Sequence, residues 1–339
     1  MTPLTQTLCR EGQALHRTLS DELGRSTSWR ELDLLLWLDL KADGAAIARD
    51  YAACLVPPQP LTPEEAVGYE PLLNPAAISG ALHVRHGHVD PEVLVGAYRE
   101  AFQELGGTVR VAEVTGWQKD GCHGVGVRAG ATCYGGAAFA LCAGAATRSL
   151  CGAWDWVPPV YFTHAEVLRV AAGAPEVRCM VMPADMTRFA QEAATSDPAE
   201  EHLWQLPDRE LVPPAVDAGI VPFGDRTLRL GQLSRVHTRT APPRDPGSSA
   251  TAIREALRPL VPDLADLPAQ WHHSLVSFSR DGLPLVGLPY GSSNVHLFTG
   301  FTTPFIYVPP LARRFAAAAV GGKQEDGILA QVSPRRWAS

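Results

Sequence analysis

Residues 86–117 read "HGHVDPEVLVGAYREAFQELGGTVRVAEVTGW", and this stretch limits the fold most. Asp90 followed by Pro91 is a helix N-cap with proline in the first turn, where a missing N–H leaves no bond unmade. Val93, Leu94, Ala97, Ala101 and Leu105 then recur at helical spacing and predict one apolar face. Gly106-Gly107 ends the helix, and "TVRVAEV" (108–114) predicts a strand. Downstream, "GCHGVGVRAGATCYGG" has the glycine frequency of a turn-rich hairpin. "AAFALCAGAATRSL" (137–150) predicts a buried strand running into a glycine turn and a short helix. A helix between strands, with a further apolar strand after it, predicts part of an α/β layer with parallel strands.

The flanking sequence extends this pattern. Leu4, Leu8, Leu15, Leu19 and Leu23 mark one face of a helix over 3–24. "ELDLLLWLDL" (31–40) predicts a buried strand followed by a turn at Asp43-Gly44. Thr62, Pro63 and Glu65 spell a capping box that opens a short helix. Between roughly 155 and 240 the pattern changes. "VPPVYFTHAEVLRV" and "FGDRTLRLGQLSRV" predict strands of a second, largely antiparallel sheet. "SDPAEEHLWQLPDRELVPP" and "APPRDPGSSA" read as loops, with Ser248 or Ser249 capping a helix over 250–260. The block 274–320 returns to α/β character, with a short strand Val295–Phe298 and a helix from near Leu311.

Composition excludes several classes. The 339 residues are 46% hydrophobic and 19% charged, enough for a real core. A net charge of −7 argues against nucleic acid as the main partner. No apolar run approaches the roughly 20 residues a membrane span needs, and the start lacks the pattern of a secretory signal. Seven cysteines, an odd count with no C-x-x-C, predict reduced and mostly buried thiols in a cytoplasmic protein.

Chemistry-bearing residues are sparse. His83, His86 and His88 cluster, with His86 and His88 expected in a glycine loop before a helix. A metal site would need further ligands at familiar spacing, so a solvated loop is the better reading. His272-His273 could supply an acid or base. "GVGVRA" (124–129) fits a relaxed G-x-G-x-x-A but is followed by no helical period, so it predicts a hairpin turn and not a phosphate cradle.

Three blocks in order, "GHVDPEVLVGAYREAFQELGGTVRVAEVTGW", "FALCAGAATRSL" and "DGLPLVGLPYGSSNVHLFTGF", resemble the D-amino acid oxidase and glycine oxidase family of FAD-dependent oxidoreductases, over roughly residues 60–325. The resemblance implies an α/β (α+β) fold: a Rossmann-like FAD-binding domain, incomplete here, plus a mixed, largely antiparallel substrate-domain sheet. It implies FAD as cofactor, a small-molecule amine as substrate, and oxidation of a C–N bond. By position, Val114 would lie near the adenine, Ala143 and Gly144 along the FAD, and Gly300, Phe301 and Thr302 near the flavin ring. The implied boundaries are 1–75 mostly substrate domain, 76–155 FAD domain, 156–267 substrate domain, 268–325 FAD domain again, and 326–339 a tail.

Three departures qualify the resemblance. The family's opening strand–G-x-G-x-x-G–helix, which holds the pyrophosphate at a helix N-terminus, has no counterpart. Its absence predicts an uncovered apolar seam and a need for a partner chain or a missing N-terminal segment. Val276 stands where many relatives carry an arginine five residues before the Asp of "D-G-l-P", and nearby Arg280 should point elsewhere on the strand. Thr303 and Pro304 stand where relatives carry glycine and histidine in the loop over the flavin. A non-catalytic or truncated relative, acting as a binding or structural module, is the alternative expectation.

Overall fold

The computed structural model describes residues 1–120, 123–152, 157–242, 244–321 and 327–337. A nine-stranded sheet dominates it. From one edge its strands are Ala269–Ser279, Val160–Val170, Leu228–Arg235, Ile220–Pro222, Met180–Pro183, Arg30–Leu38, Gly80–His88 and Gln59–Leu61, with Ala215–Val216 alongside Leu228–Arg235. Arg30–Leu38 runs parallel to Met180–Pro183, and the other pairings are antiparallel. The two strands expected of a second, antiparallel sheet, Val160–Val170 and Leu228–Arg235, are thus antiparallel neighbours, second and third from its edge.

One face of this sheet is sealed. Leu168, Ile220, Leu230, Ile253, Leu257 and Leu264 pack together at 1% exposure or less beneath helices Pro246–Leu257 and Pro262–Ala265. Fully burying such side chains stabilises by roughly 1.5–3 kcal/mol each. The first of these helices starts earlier than the serines suggested. Asp245 caps it, accepting from the Gly247 and Ser248 amides, because a carboxylate two residues upstream reaches the free N–H groups first. The acidic stretch expected as loop holds a 3₁₀ helix, Pro198–Gln205, anchored by buried Trp204 donating to the Thr195 carbonyl.

The α/β layer is small. Phe139–Leu141 and Val295–Thr299 pair in parallel, and Leu285–Gly287 adds antiparallel to the latter. Beside them lies an antiparallel three-stranded sheet over 116–135; "GVGVRA", expected as a hairpin turn, lies in its central strand His123–Ala129 and opens no helix. Buried Asn294 ties the two sheets, accepting from the Gly124 amide and donating to the Gly124 and Ala137 carbonyls.

Several local expectations fail here, for one reason. Residues 108–114 form no strand; Val111 is fully exposed and Val109 partly so. The sequence has β character, but a strand needs a backbone partner for its N–H and C=O groups, and no described strand pairs with this segment. On the helix before it, Pro91–Glu104, only Leu94 and Ala97 are buried. Val95, Tyr98, Phe102 and Leu105 form an exposed stripe at intervals of three and four residues, with Leu105 89% exposed. Val93 and Leu105 therefore do not share the buried face assigned to them. Similarly, the 137–142 strand is half uncovered: Leu141 is buried, while Ala140 and Cys142 are exposed. Among the described cysteines only Cys151 and Cys179 are buried; Cys122 lies outside the described residues.

The last long helix runs Pro304–Ala319, beginning seven residues before Leu311 and containing Pro309 and Pro310. Each internal proline lacks the N–H that would bond the carbonyl four residues back, which leaves Phe305 and Ile306 carbonyls free. Helix Pro3–Leu23 crosses here and answers both. His16 Nε2 donates to the Phe305 oxygen at 2.6 Å. Gly12 lets the two backbones meet; a Cβ there would fall inside the Ile306 carbonyl oxygen. Prolines that look like helix breakers are accommodated because the neighbouring helix supplies a donor and a gap.

Candidate active site

The exposed face of the large sheet and the small parallel sheet enclose a cavity of about 770 Å³. Its floor is the strand Ala269–Ser279, which presents His272, Ser274 and Val276 on alternate positions, with Val167 beside them. Its far end carries Arg169, Arg229 and Phe223. Cys142 and Gly144 close it from the end of the parallel strand Phe139–Leu141, and Thr299 and Phe301 from the end of Val295–Thr299. Pro304, Phe305 and Val308, at the start of the last long helix, and Asp90 to Glu92, at the start of helix Pro91–Glu104, complete the wall. A cavity outside the carboxyl ends of parallel strands is where open α/β sheets bind ligands.

The backbone at the strand ends is shaped for close approach. Gly144 has φ +51° and would carry a Cβ only 3.9 Å from Ser277 Oγ; Gly300 has φ +75°. Both lie in the left-handed region that favours glycine. The buried Thr147 and Thr299 hydroxyls are 2.8 Å apart and lock the two strand ends together. Phe301 is buried, its ring 4.9 Å from that of Phe298.

Of the six residues expected at the cofactor, Gly144 and Phe301 line the cavity. Ala143, Gly300 and Thr302 are their chain neighbours and do not line it themselves. Val114 lies in the unpaired segment after residue 107. Val276 does line the cavity, so no arginine enters from that strand position. Arg280 faces away: it donates to Tyr161 Oη at 3.0 Å and to Glu201 Oε2 at 2.8 Å, and lies over the Trp337 ring. Burial, then the Glu201 bond, pushes the Tyr161 phenol up to about 12. Pro304 occupies the first helical position, where its missing N–H leaves no helical bond unmade. The expected histidine loop is instead strand Gly80–His88. There His83 bonds Asp33 at 2.8 Å, and His88 is driven down to about 4 by burial and by Arg30. Among the described residues no group of three His, Cys, Asp or Glu could hold a metal ion.

The cavity residues that sequence reading passed over are Arg169, Arg229 and Phe223. The signal was the alternation of "VLRV" and "TLRL", which puts each arginine opposite to its leucine neighbours. Their meeting, however, follows from register, with Arg229 opposite Arg169.

Residues 2–318 match the family model of FAD-dependent oxidoreductases of the D-amino acid oxidase (DAO) type, and the chain belongs to that family. Solved structures share the fold. Glycine oxidase from Geobacillus kaustophilus matches with a TM-score of 0.78 at 20% identity, over 100% of this chain and 85% of that one. Iminodiacetate oxidase from Chelativorans sp. BNC1 matches at 0.73 and 15% identity, over 98% of this chain and 85% of that one. L-proline dehydrogenase from P. horikoshii matches at 0.71 and 16%, over 97% and 82%. No curated protein matches by sequence.

FAD is the family's cofactor. The cavity fits its ring end: it is large, mainly apolar in its walls, and bounded by glycine backbone at Gly144 and by Phe301. For the diphosphate end the sequence offers no strand–G-x-G-x-x-G–helix.

Proposed function

We propose that this protein oxidises the C–N bond of an amine or amino acid, with the flavin ring of FAD in the cavity between Gly144 and Phe301. The observation that carries this reading is the cavity itself. It stands at the ends of two parallel strands and is floored by the face of the large, mostly antiparallel sheet, in a chain of the FAD-dependent oxidoreductase family. Bound FAD supplies the two-electron acceptor. Cys142, Gly144, Thr299 and Phe301 would hold the ring, and the Thr147–Thr299 bond would keep its two supports at a fixed separation. His272, Ser274 and Val276 face the same space from the sheet and would orient the substrate. Phe305 and Val308 keep water from that side. Ala143, Gly300 and Thr302 position these groups through the backbone, and Val114 is assigned to the adenine side.

The same reading keeps the two-domain division at 76–155 and 268–325 for FAD and 1–75 and 156–267 for substrate, with strands Gly80–His88 and Ala269–Ser279 of the FAD stretches joining the large sheet that faces the substrate. It assigns the diphosphate to a strand–turn–helix segment outside the described residues, supplied from a preceding stretch or a partner chain. The segment 108–114 and the stripe Val95, Tyr98, Phe102 and Leu105 support this, since no described strand pairs with the first and the second is left exposed. A cytoplasmic location is part of the proposal and rests on the free described cysteines. No helix among the described residues is long and apolar enough to cross a membrane.

The test is the visible spectrum of the purified chain mixed with FAD and passed through a sizing column. A flavin band eluting with the protein is the expected result. Flavin that elutes only as free FAD, with and without a strand–G-x-G-x-x-G–helix peptide added, would count against the proposal.

A further inference from the structure

The end of the cavity away from Gly144 carries two arginines, Arg169 and Arg229, with the carboxylates of Asp90 and Glu92 in the same wall; Asp90 is engaged as a helix cap. Arg169 and Arg229 stand opposite each other on neighbouring antiparallel strands and face the same space. Arg169 is held by Glu92 at 3.2 Å, an ion pair whose carboxylate side chain is 69% exposed. Such an exposed pair contributes little and gives way readily. Arg229 makes no ion pair among the described residues. Its hydrogen bonds, to Thr227 Oγ1 at 3.4 Å and the Leu228 carbonyl at 3.3 Å, are long. Its guanidinium is fixed instead over the Phe223 ring, 4.5 Å from the centroid, which orients the plane and leaves the N–H fork unspent. Burial, then Arg169, pulls the Arg229 guanidinium below its usual value, against the opposing pull of Asp90, Glu92 and Asp225.

We propose that Arg229, with Arg169, binds a terminal oxyanion of an extended substrate whose amine lies at the Gly144–Phe301 end of the cavity. This rests on the oxidase reading for the position of the amine, and on the arginines alone for the anion. Arg169 pairs with Gln270, six residues along the strand from Val276, so the two ends are roughly 20 Å apart at about 3.3 Å per residue. Allowing for the reach of the arginine side chains, the substrate class is an amine joined by a long, slim linker to a carboxylate or a phosphate monoester. A carboxylate or phosphate matches the planar fork in two parallel N–H···O bonds. Val276, in the place where an arginine would grip a carboxylate beside the amine, agrees with an acid group set far from it.

Calorimetry on the full chain tests this with three probes: pentaglycine, pentaglycine amide, and tetraglycyl phosphoethanolamine. Pentaglycine, at roughly 3.3–3.6 Å per residue, bridges most of the distance. At least tenfold tighter binding of one acidic probe over the amide is expected, and which acid wins identifies the oxyanion. Arg229→Gln should abolish the preference; Arg229→Lys, which keeps charge but not the fork, should keep only part of it and serves if Arg229→Gln fails to fold. Equal binding of all three probes, binding of none, or a preference unchanged in a folded Arg229 variant overturns the proposal. The flavin spectrum is recorded on the same samples. Loss of FAD binding with the acid preference intact would sink the oxidase reading alone.

Discussion

The two sheets that form the cavity differ in how completely they satisfy themselves. In the nine-stranded sheet, strand Val160–Val170 is paired along its whole length on one side and from His164 to Val170 on the other, and its inward face is sealed by two helices. Even its charged residues are matched: fully buried Glu166 accepts from Arg235 at 3.0 Å and from Trp271 Nε1 at 2.9 Å. The parallel sheet has three strands, an edge at Phe139–Leu141, and beside it the unpaired segment 108–114 and an apolar helix stripe in solvent. The first region is a finished core. The second is stable where helix Pro3–Leu23 packs on helix Pro304–Ala319, and open elsewhere. One wall of the cavity is thus fixed by its own pairing and packing, while the other has an open edge.

This contrast can be broken at its strongest point. Leu230→Ala removes a fully buried side chain from the sealed face. It should cost about 3–4 kcal/mol, read as a lower urea midpoint at unchanged slope. In the open region the critical contact is a crossing of backbones, so Gly12→Ala should cost about 3 kcal/mol there. If Gly12→Ala is neutral, the helix crossing does not hold the open half together.

Titration separates the halves next. His164 lies in the finished sheet, bonded to His273 at 2.9 Å and to the Arg239 carbonyl at 2.9 Å. Burial, then His273, drives it down to about 4 from an ordinary 6.5. The unfolded chain therefore takes up this proton first as pH falls. The stability from keeping His164 neutral is full above about pH 6.5 and is lost progressively toward pH 4. Urea midpoints should fall from pH 7.5 to 5, and His164→Asn should flatten that slope. The smallest effect belongs to the stripe: Phe102→Ser should change stability by less than about 0.5 kcal/mol. It should nonetheless reduce concentration-dependent association on a sizing column. A stripe already covered in solution would instead make Phe102→Ser clearly destabilising.

Much of the fold was legible in the sequence, and the failures share a cause. Thr62 and Glu65 form the capping box their spacing spelled, and Asp90 caps its helix as expected, because a cap is satisfied within four residues. The β-branched and aromatic run "VYFTHAEVLRV" forms the strand expected of it, a short-range preference of its own residues. The three family blocks, read in order, gave the class of protein and hence FAD. Segment 108–114 carries an equally good strand pattern and is not a strand, since pairing depends on a partner that local sequence cannot announce. Likewise Pro309 and Pro310 argued against a helix that exists, because His16 and Gly12, nearly three hundred residues away in sequence, answer the carbonyls those prolines leave free. At the candidate site, Gly144 and Phe301 could be named from motif position, while Arg229 could not. Its role follows from register, which places it opposite Arg169, and from the Phe223 ring beneath it. The sequence alone thus determined the local elements, the family and the cofactor class. Tertiary structure decided which apolar surfaces are covered and which charges share a cavity, because burial and pairing belong to neighbours in space and not in the chain.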